Sequence, residues 1–133
     1  MTAAELMEAA REARRLSYSP YSHFAVGAAL ECADGSVYLG ANIENASYPA
    51  TNCAERTAFF RAIADGKREF RAIAVSGGTG ANEQSCPPCG VCRQVMREFC
   101  KPGFAVFFSD GEGGFETFTL DELLPCSFGP EHL

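Results

Sequence analysis

The chain has 133 residues, a length typical of one domain with a single hydrophobic core. Apolar residues make up 47% of the chain, which indicates a packed globular fold and excludes a disordered protein. The formal net charge of −6 argues against a nucleic acid as partner, because such binding depends on basic side chains that neutralise phosphates.

The N-terminal residues contain no basic stretch followed by an apolar one, so a secretory signal peptide is not expected. No apolar run approaches the ~20 residues of a membrane-spanning helix. The chain has seven cysteines, and without a signal peptide this number favours metal ligation in a reducing compartment over disulfides. We therefore expect a cytoplasmic protein that does not associate with membranes.

The first third of the chain predicts a helix followed by a β-hairpin. Thr2 and Glu5 form a capping box, and apolar residues at helical spacing continue the helix over residues 3–16. The hairpin consists of a strand, a turn and a returning strand: Phe24–Cys32, Asp34-Gly35 and Val37–Ala41. Gly27 lies inside the first strand, where a missing side chain predicts close approach of another backbone or a ligand.

The rest of the chain predicts two longer helices and a final helical turn. The first helix covers residues 53–65, with Asn52 as its N-cap. The second begins near Cys89 and runs to Phe99, and we expect its core face to consist of Val91, Val95 and Phe99. The final turn is capped by two side chains, Thr119 and Glu122.

Three more strands are predicted in this part of the chain: 71–76, Phe104–Phe108 and Phe115–Phe118. Residues 77–80 are rich in glycine and are expected to form a flexible loop. The order of elements predicts an α/β fold over residues 1–133. We expect a mixed five-stranded sheet covered by helices, which is an α-β-α sandwich.

Two segments carry cysteines at metal-ligand spacing, C-x-E at Cys53 and P-C-x-x-C with Cys89 and Cys92. Three thiolates can hold a zinc ion and leave its fourth tetrahedral position for water. Glu55 follows the first ligand by two residues and would lie beside that water as a proton carrier. The constellation matches the H-x-E … P-C-x-x-C pattern of zinc deaminases in its three-cysteine form.

These motifs resemble those of the small cytidine deaminases in the zinc-dependent nucleoside deaminase family. The resemblance extends from Phe24-Ala25-Val26-Gly27-Ala28 to Phe128. It implies hydrolytic deamination of cytidine and 2′-deoxycytidine with release of ammonia, as in pyrimidine salvage, and one Zn²⁺ per subunit. It also implies a homotetramer whose active sites are completed by neighbouring subunits.

The resemblance also implies the substrate contacts. Asn42 and Glu44 match the amide and carboxylate that bind the ribose hydroxyl groups, and Phe24 matches the aromatic residue that lies against the base. The alternatives are a polar loop for the first two and a core phenylalanine for the third. The Ala54 N–H would face O2 of the base. The carbonyl of Pro87, which replaces the commoner serine, would face its amino group.

Two aromatic residues match those that reach into a neighbouring subunit's pocket in the family, namely Tyr48 and Phe128. Ordinary core or surface aromatics are the alternative for both. Arg56 matches the arginine that donates to the cysteine sulfurs in the family, and its alternative is a surface arginine paired with an acid. Such a donor is needed because three thiolates and Zn²⁺ sum to a charge of −1, which weakens the metal as a Lewis acid.

Three other interpretations remain open from the sequence. Cys86 forms a second C-x-x-C with Cys89, so four cysteines could close a structural zinc site in a module without catalysis. Glu55 could be a capping-box residue of its helix. The substrate could be another aminopyrimidine or a nucleoside-like antibiotic, although the ribose pair Asn42 and Glu44 weighs against this.

Overall fold

The structure is a computed structural model that describes all 133 residues. It contains six strands: β1 Ala25–Cys32, β2 Val37–Ala41, β3 Phe70–Thr79, β4 Asn82–Gln84, β5 Ala105–Ser109 and β6 Phe115–Thr119. It contains four α-helices: α1 Ala3–Ala13, α2 Ala54–Ala64, α3 Gly90–Phe99 and α4 Leu120–Leu123. Three short 3₁₀ segments complete the chain: Arg14–Leu16, Tyr48–Ala50 and Pro130–His132.

The strands form one mixed sheet in the order β2-β1-β3-β5-β6, and the short β4 pairs with the end of β3. The β3–β5 pair is parallel and the other pairs are antiparallel. Since parallel neighbours require a crossover, α3 connects β3 to β5 over one face of the sheet. The predicted mixed sheet is confirmed, since its five strands are β2, β1, β3, β5 and β6. The short sixth strand, β4, was not predicted.

Alternate side chains of the strands supply two separate cores. On one face, Ala28 and Leu30 of β1 pack in a cluster with residues of α2 and α3. On the other face, Ala29 of β1 packs in a smaller cluster with Leu6 and Met7 of α1. This alternation follows from the period of two in a strand. The helices therefore cover both faces of the sheet, as the predicted α-β-α sandwich requires.

Gly27 allows α1 to lie directly on β1. A Cβ atom at Gly27 would stand 2.2 Å from the carbonyl oxygen of Ala10, so only glycine fits this contact. The prediction that another backbone approaches here is confirmed. Both predicted capping boxes, at Thr2 and at Thr119, are also present. None of the helices combines the length and the apolar character needed to span a bilayer.

The prediction of a flexible loop at residues 77–80 is wrong. β3 continues to Thr79 and turns at Gly80 into β4. A Cβ atom at Gly78 would stand 2.1 Å from the carbonyl oxygen of Asn82. The glycines here permit a close hairpin contact, and flexibility is not the reason for them.

The two longer helices differ from prediction in their details. Cys53, and not Asn52, is the N-cap of α2, because the backbone of Asn52 is already paired with Ile43. In α3 the fully buried residues are Cys92 and Met96. The predicted core face was wrong at Val91, which is 58% exposed. Cys92 points towards the other two cysteines of the motif, and the residue four positions later lies on the same side of the helix.

Candidate metal centre and active-site cleft

The three cysteines of the motif converge at two helix N-termini. Cys53 is the N-cap of α2, Cys89 is the N-cap of α3, and Cys92 lies in the first turn of α3. Their sulfurs all lie within 4.8 Å of one another, and those of Cys53 and Cys89 are 3.8 Å apart. Zn–S bonds of about 2.3 Å at tetrahedral angles place two sulfurs about 3.8 Å apart. The cluster therefore fits a zinc ion.

The surroundings of Cys53 favour its thiolate. A hydrogen bond from the Cys92 thiol and a second one from Arg56 lower the pKa of Cys53 to about 5. The Nη2 atom of Arg56 lies 3.1 Å from the Cys53 sulfur. Arg56 is therefore not a surface arginine paired with an acid, and it has the contact that the resemblance implies. The free N–H groups and the dipole of each helix N-terminus add to the stabilisation of negative sulfur.

Glu55 lies in the first turn of α2, next to this cluster. Its side chain is buried, with 4% of the residue exposed. Burial, followed by the negative charge at Cys53, raises the pKa of Glu55 to about 7. A carboxyl group in this range can accept and donate protons near neutral pH. Glu55 does not form a capping box with the N-cap of α2, so that interpretation of the sequence is wrong.

A cleft of about 210 Å³ opens over Glu55 and the cysteines. Its lining combines apolar residues of β1 and of the segment before α3 with polar residues: Val26, Asn42, Thr51, Cys53, Ala54, Glu55, Cys86, Pro87 and Cys89. A concave site with an apolar wall and a few converging polar groups suits a small aromatic ligand with hydroxyl groups.

Cys86 lines the cleft but lies outside the sulfur cluster. Its side chain packs against Gly77, where a Cβ atom would stand 2.5 Å from the Cys86 sulfur. Burial raises the pKa of Cys86 to about 12, so the thiol stays protonated at neutral pH. The structure therefore shows a three-cysteine cluster, and the closed four-cysteine site considered from the sequence is not formed.

Asn42 lines the cleft, whereas Glu44 lines an adjoining concavity of about 260 Å³. Thr51 borders both, which places the two predicted sugar ligands on one continuous surface. The carboxylate of Glu44 accepts hydrogen bonds from the Tyr21 and Ser22 N–H groups and from the Ser22 hydroxyl. Sequence reasoning missed Thr51, since a threonine in a polar loop gives no signal of its own.

The aromatic residues differ in their placement. Phe24 is half-buried immediately before β1, where its ring packs against Gly77. Tyr48 is 74% exposed and meets Tyr21 edge-on at a centroid distance of 6.4 Å. Phe128 is 58% exposed and stacks on His132. None of the three lines the 210 Å³ cleft, and Tyr48 lines the adjoining concavity together with Glu44.

Arg93 makes no hydrogen bond to the sulfur of Cys89 or Cys92 and instead binds two backbone carbonyl groups near them. Its Nε donates to the Pro88 carbonyl at 2.8 Å, and its Nη1 donates to the Leu123 carbonyl at 2.8 Å. Pro88 precedes the ligand Cys89, so Arg93 ties the metal loop to the C-terminal segment. The spacing of the motif alone does not reveal this link.

Comparisons with known proteins agree on one family. A family profile described as "Cytidine and deoxycytidylate deaminase zinc-binding region" matches residues 1–108. A cytidine deaminase of Sporosarcina psychrophila is 47% identical over 133 residues, covering 100% of this chain and 96% of the relative. A cytidine deaminase of Halalkalibacterium halodurans is 50% identical over 128 residues, covering 96% of this chain and 95% of the relative.

The fold agrees with a solved structure of the same kind. The 1.6 Å crystal structure of cytidine deaminase from Burkholderia pseudomallei superposes with a TM-score of 0.89 at 50% sequence identity. The match covers 96% of this chain and 100% of that chain.

Proposed function

The chain belongs to the cytidine and deoxycytidylate deaminase zinc-binding family, and we propose that it deaminates cytidine and 2′-deoxycytidine by zinc-dependent hydrolysis. The products are uridine or 2′-deoxyuridine and ammonia, as in pyrimidine salvage. The observation that carries this proposal is the buried carboxyl group of Glu55 beside three converging sulfurs in one cleft. Relatives named for this activity, matched over nearly their full length, support it.

Cys53, Cys89 and Cys92 would hold the zinc ion, which when bound makes a water molecule acidic enough to react near neutral pH. Glu55 acts as the proton carrier. It takes a proton from the attacking water and delivers it to N3 of the base as the C4–O bond forms. It then takes the second proton, from the hydroxyl group now on C4, and delivers it to the amino group, so that the C4–N bond breaks, ammonia leaves and the C4 carbonyl forms. Its raised pKa suits both directions of transfer, because each protonation state is accessible near pH 7.

Backbone groups at the cleft suit recognition of the base. The N–H of Ala54 belongs to the first turn of α2, where backbone donors have no partner within the helix. In this proposal it would donate to O2 of the base, and the Pro87 carbonyl would accept from the amino group. Phe24 would lie against the base. The amide of Asn42 and the carboxylate of Glu44 would bind the sugar hydroxyl groups.

We expect this function to be carried out by a homotetramer in the cytoplasm. Tyr48 and Phe128 are large and exposed, which supports a role in completing the site of a neighbouring subunit, and Tyr48 also borders the Glu44 concavity of its own chain. Three of the seven cysteines converge at metal-ligand distances, which supports a reducing compartment where thiols are kept for metal binding. The acidic net charge supports free nucleosides, and not nucleic acids, as substrates.

Ammonia release from a panel of substrates tests this function. We expect turnover of cytidine and 2′-deoxycytidine, and little or none of cytosine, dCMP or adenosine. Glu55→Gln should keep its zinc and lose nearly all turnover. The amide has the shape of the carboxyl group but cannot take up or release a proton near neutral pH. Glu98→Gln, at an exposed position of α3, is the control and should be fully active. A Glu55→Gln enzyme with normal kcat would contradict the proposed role.

A further inference from the structure

Asn42 follows β2 and uses most of its hydrogen-bonding capacity within the chain. Its Nδ2 donates to the Phe24 carbonyl at 2.8 Å, and its Oδ1 accepts from the Val26 N–H at 2.9 Å. The Ser17 hydroxyl lies 2.5 Å from the same Oδ1. A carboxamide oxygen has two lone pairs and its nitrogen two N–H groups. One N–H is therefore the only part of Asn42 left to meet a ligand in the cleft.

The proton of the Ser17 hydroxyl lies on its bond to Asn42. Ser17 also contacts the Ser19 hydroxyl at 3.1 Å, but a hydroxyl group has only one proton. The oxygen of Asn42 cannot donate, whereas Ser19 can, so Ser17 donates to Asn42 and accepts from Ser19. Ser17 thus occupies the second lone pair of Oδ1 and prevents Asn42 from acting as an acceptor towards the cleft.

We propose that Ser17 is a positioning residue that makes Asn42 a pure hydrogen-bond donor towards a sugar hydroxyl of the substrate. This inference rests on the proposed function, because it concerns how a nucleoside would be held in the cleft. Ser17 acts through Asn42 and does not line the cleft itself. The Val26 N–H faces the amide oxygen of Asn42, and the Phe24 carbonyl faces the amide nitrogen. These two contacts fix which way round the amide lies. Ser17 fixes the tilt of the amide plane and fills the remaining lone pair.

Ser17→Ala should lower kcat/KM for cytidine by about 3- to 10-fold, the range expected for one hydrogen bond, and mainly through KM. The loss should be nearly absent with 2′,3′-dideoxycytidine, because a substrate without these sugar hydroxyl groups has nothing for Asn42 to bind. Ser17→Thr keeps the hydroxyl and should restore most of the loss. Zinc content should be equal in all variants.

Ser36→Ala is the matched control. Ser36 also donates a side-chain hydrogen bond, to Asp34 at 2.6 Å, but at the turn between β1 and β2, where the strands are farthest from Asn42. This variant should keep the kcat/KM of the wild type with both substrates. Should Ser17→Ala not fold, Ser17→Cys is measured in its place, because its thiol has similar shape and is a weak donor.

Equal losses with cytidine and with 2′,3′-dideoxycytidine would overturn the inference, since Ser17 would then only support the packing of β1. Unchanged kinetics of Ser17→Ala with cytidine would overturn it as well. A wild-type protein that does not deaminate cytidine would instead contradict the proposed function. The two failures are therefore distinguishable in one experiment.

Discussion

Gly40 of β2 lies against the first turn of α2, so closely that a Cβ atom at Gly40 would stand 2.4 Å from the carbonyl oxygen of Ala54. Ala54 separates the metal ligand Cys53 from Glu55 in the sequence. Because Gly40 has no side chain, the first turn of α2, which carries Glu55, can lie directly on β2. A methyl group there must push the N-terminus of α2 outwards, since backbone atoms cannot rotate away.

We predict that Gly40→Ala lowers the free energy of unfolding by about 1–3 kcal/mol, the usual cost of overpacking a buried contact. It should also weaken zinc binding, because Cys53 moves with the helix while Cys89 and Cys92 do not. Thermal unfolding and zinc content of the purified protein measure both effects. Gly103→Ala is the control, since nothing lies within 4 Å of its added methyl group. Equal behaviour of the two variants would contradict this role of Gly40.

The cysteine motifs make a second prediction. Cys89→Ser should abolish stoichiometric zinc, because an open site held by three protein ligands loses one of them. Cys86→Ser should keep one zinc per chain, since its thiol lies outside the sulfur cluster. Metal content per chain, measured after gel filtration, compares the two variants. If Cys86→Ser lost as much zinc as Cys89→Ser, the result would contradict the three-cysteine site and support a site closed by four cysteines.

Local patterns predicted the fold because each acts over a few residues. The capping boxes at Thr2 and Thr119 and the cysteine spacing all depend on neighbours in sequence, and the structure contains them. Predictions failed where a distant segment decides the outcome. Asn52 is a good N-cap by type, but pairing of its backbone with Ile43 moves the start of the helix by one residue.

The contacts that hold the cleft together were the least predictable. The bond of Ser17 to Asn42 joins residues 25 positions apart, and that of Arg93 to the Leu123 carbonyl joins residues 30 positions apart. Serine and arginine occur commonly on surfaces, so composition gives no reason to single out these two. Only the folded chain shows which groups these side chains contact.

A partly buried ion pair links α1 to the β3–β4 hairpin and predicts a pH dependence. The carboxylate of Glu83 accepts from Nε of Arg11 at 2.9 Å and from the Ser76 hydroxyl at 2.6 Å. Burial disfavours the charged carboxylate, but these two bonds outweigh it and lower the pKa of Glu83. A lowered pKa in the folded state stabilises the protein above the unfolded pKa of about 4.3, and this stabilisation is lost as the pH falls through the folded pKa.

Glu83→Gln should therefore lower the free energy of unfolding by about 1–2 kcal/mol at pH 7, and by much less at about pH 3. Urea titrations of the metal-free protein at both pH values provide the measurement. Glu112→Gln changes an exposed glutamate whose side chain makes no ion pair, and it should leave stability unchanged at either pH. If Glu83→Gln lowered the free energy of unfolding equally at both pH values, the charge of Glu83 would not be the source of the stabilisation.

Arg56 tests whether charge on the sulfurs controls activity. Its Nη2 donates to the Cys53 sulfur at 3.1 Å, and its charge offsets part of the −1 that three thiolates and Zn²⁺ carry together. Without Arg56 the sulfurs donate more fully to the metal, which should bind no more weakly but be a poorer Lewis acid. We predict that Arg56→Ala retains one zinc per chain while kcat/KM falls by about 10- to 100-fold.

The acid limb of the pH profile of kcat/KM should also move to higher pH in Arg56→Ala. Arg56→Gln should have an intermediate activity, because it can still donate a hydrogen bond to sulfur but carries no charge. Arg15→Ala is the control, since Arg15 is 66% exposed at its side chain and lies 3.9 Å from Glu12 in a weak pair. Unchanged kcat/KM and an unchanged pH profile in Arg56→Ala would show that the two helix N-termini alone compensate the charge of the cluster.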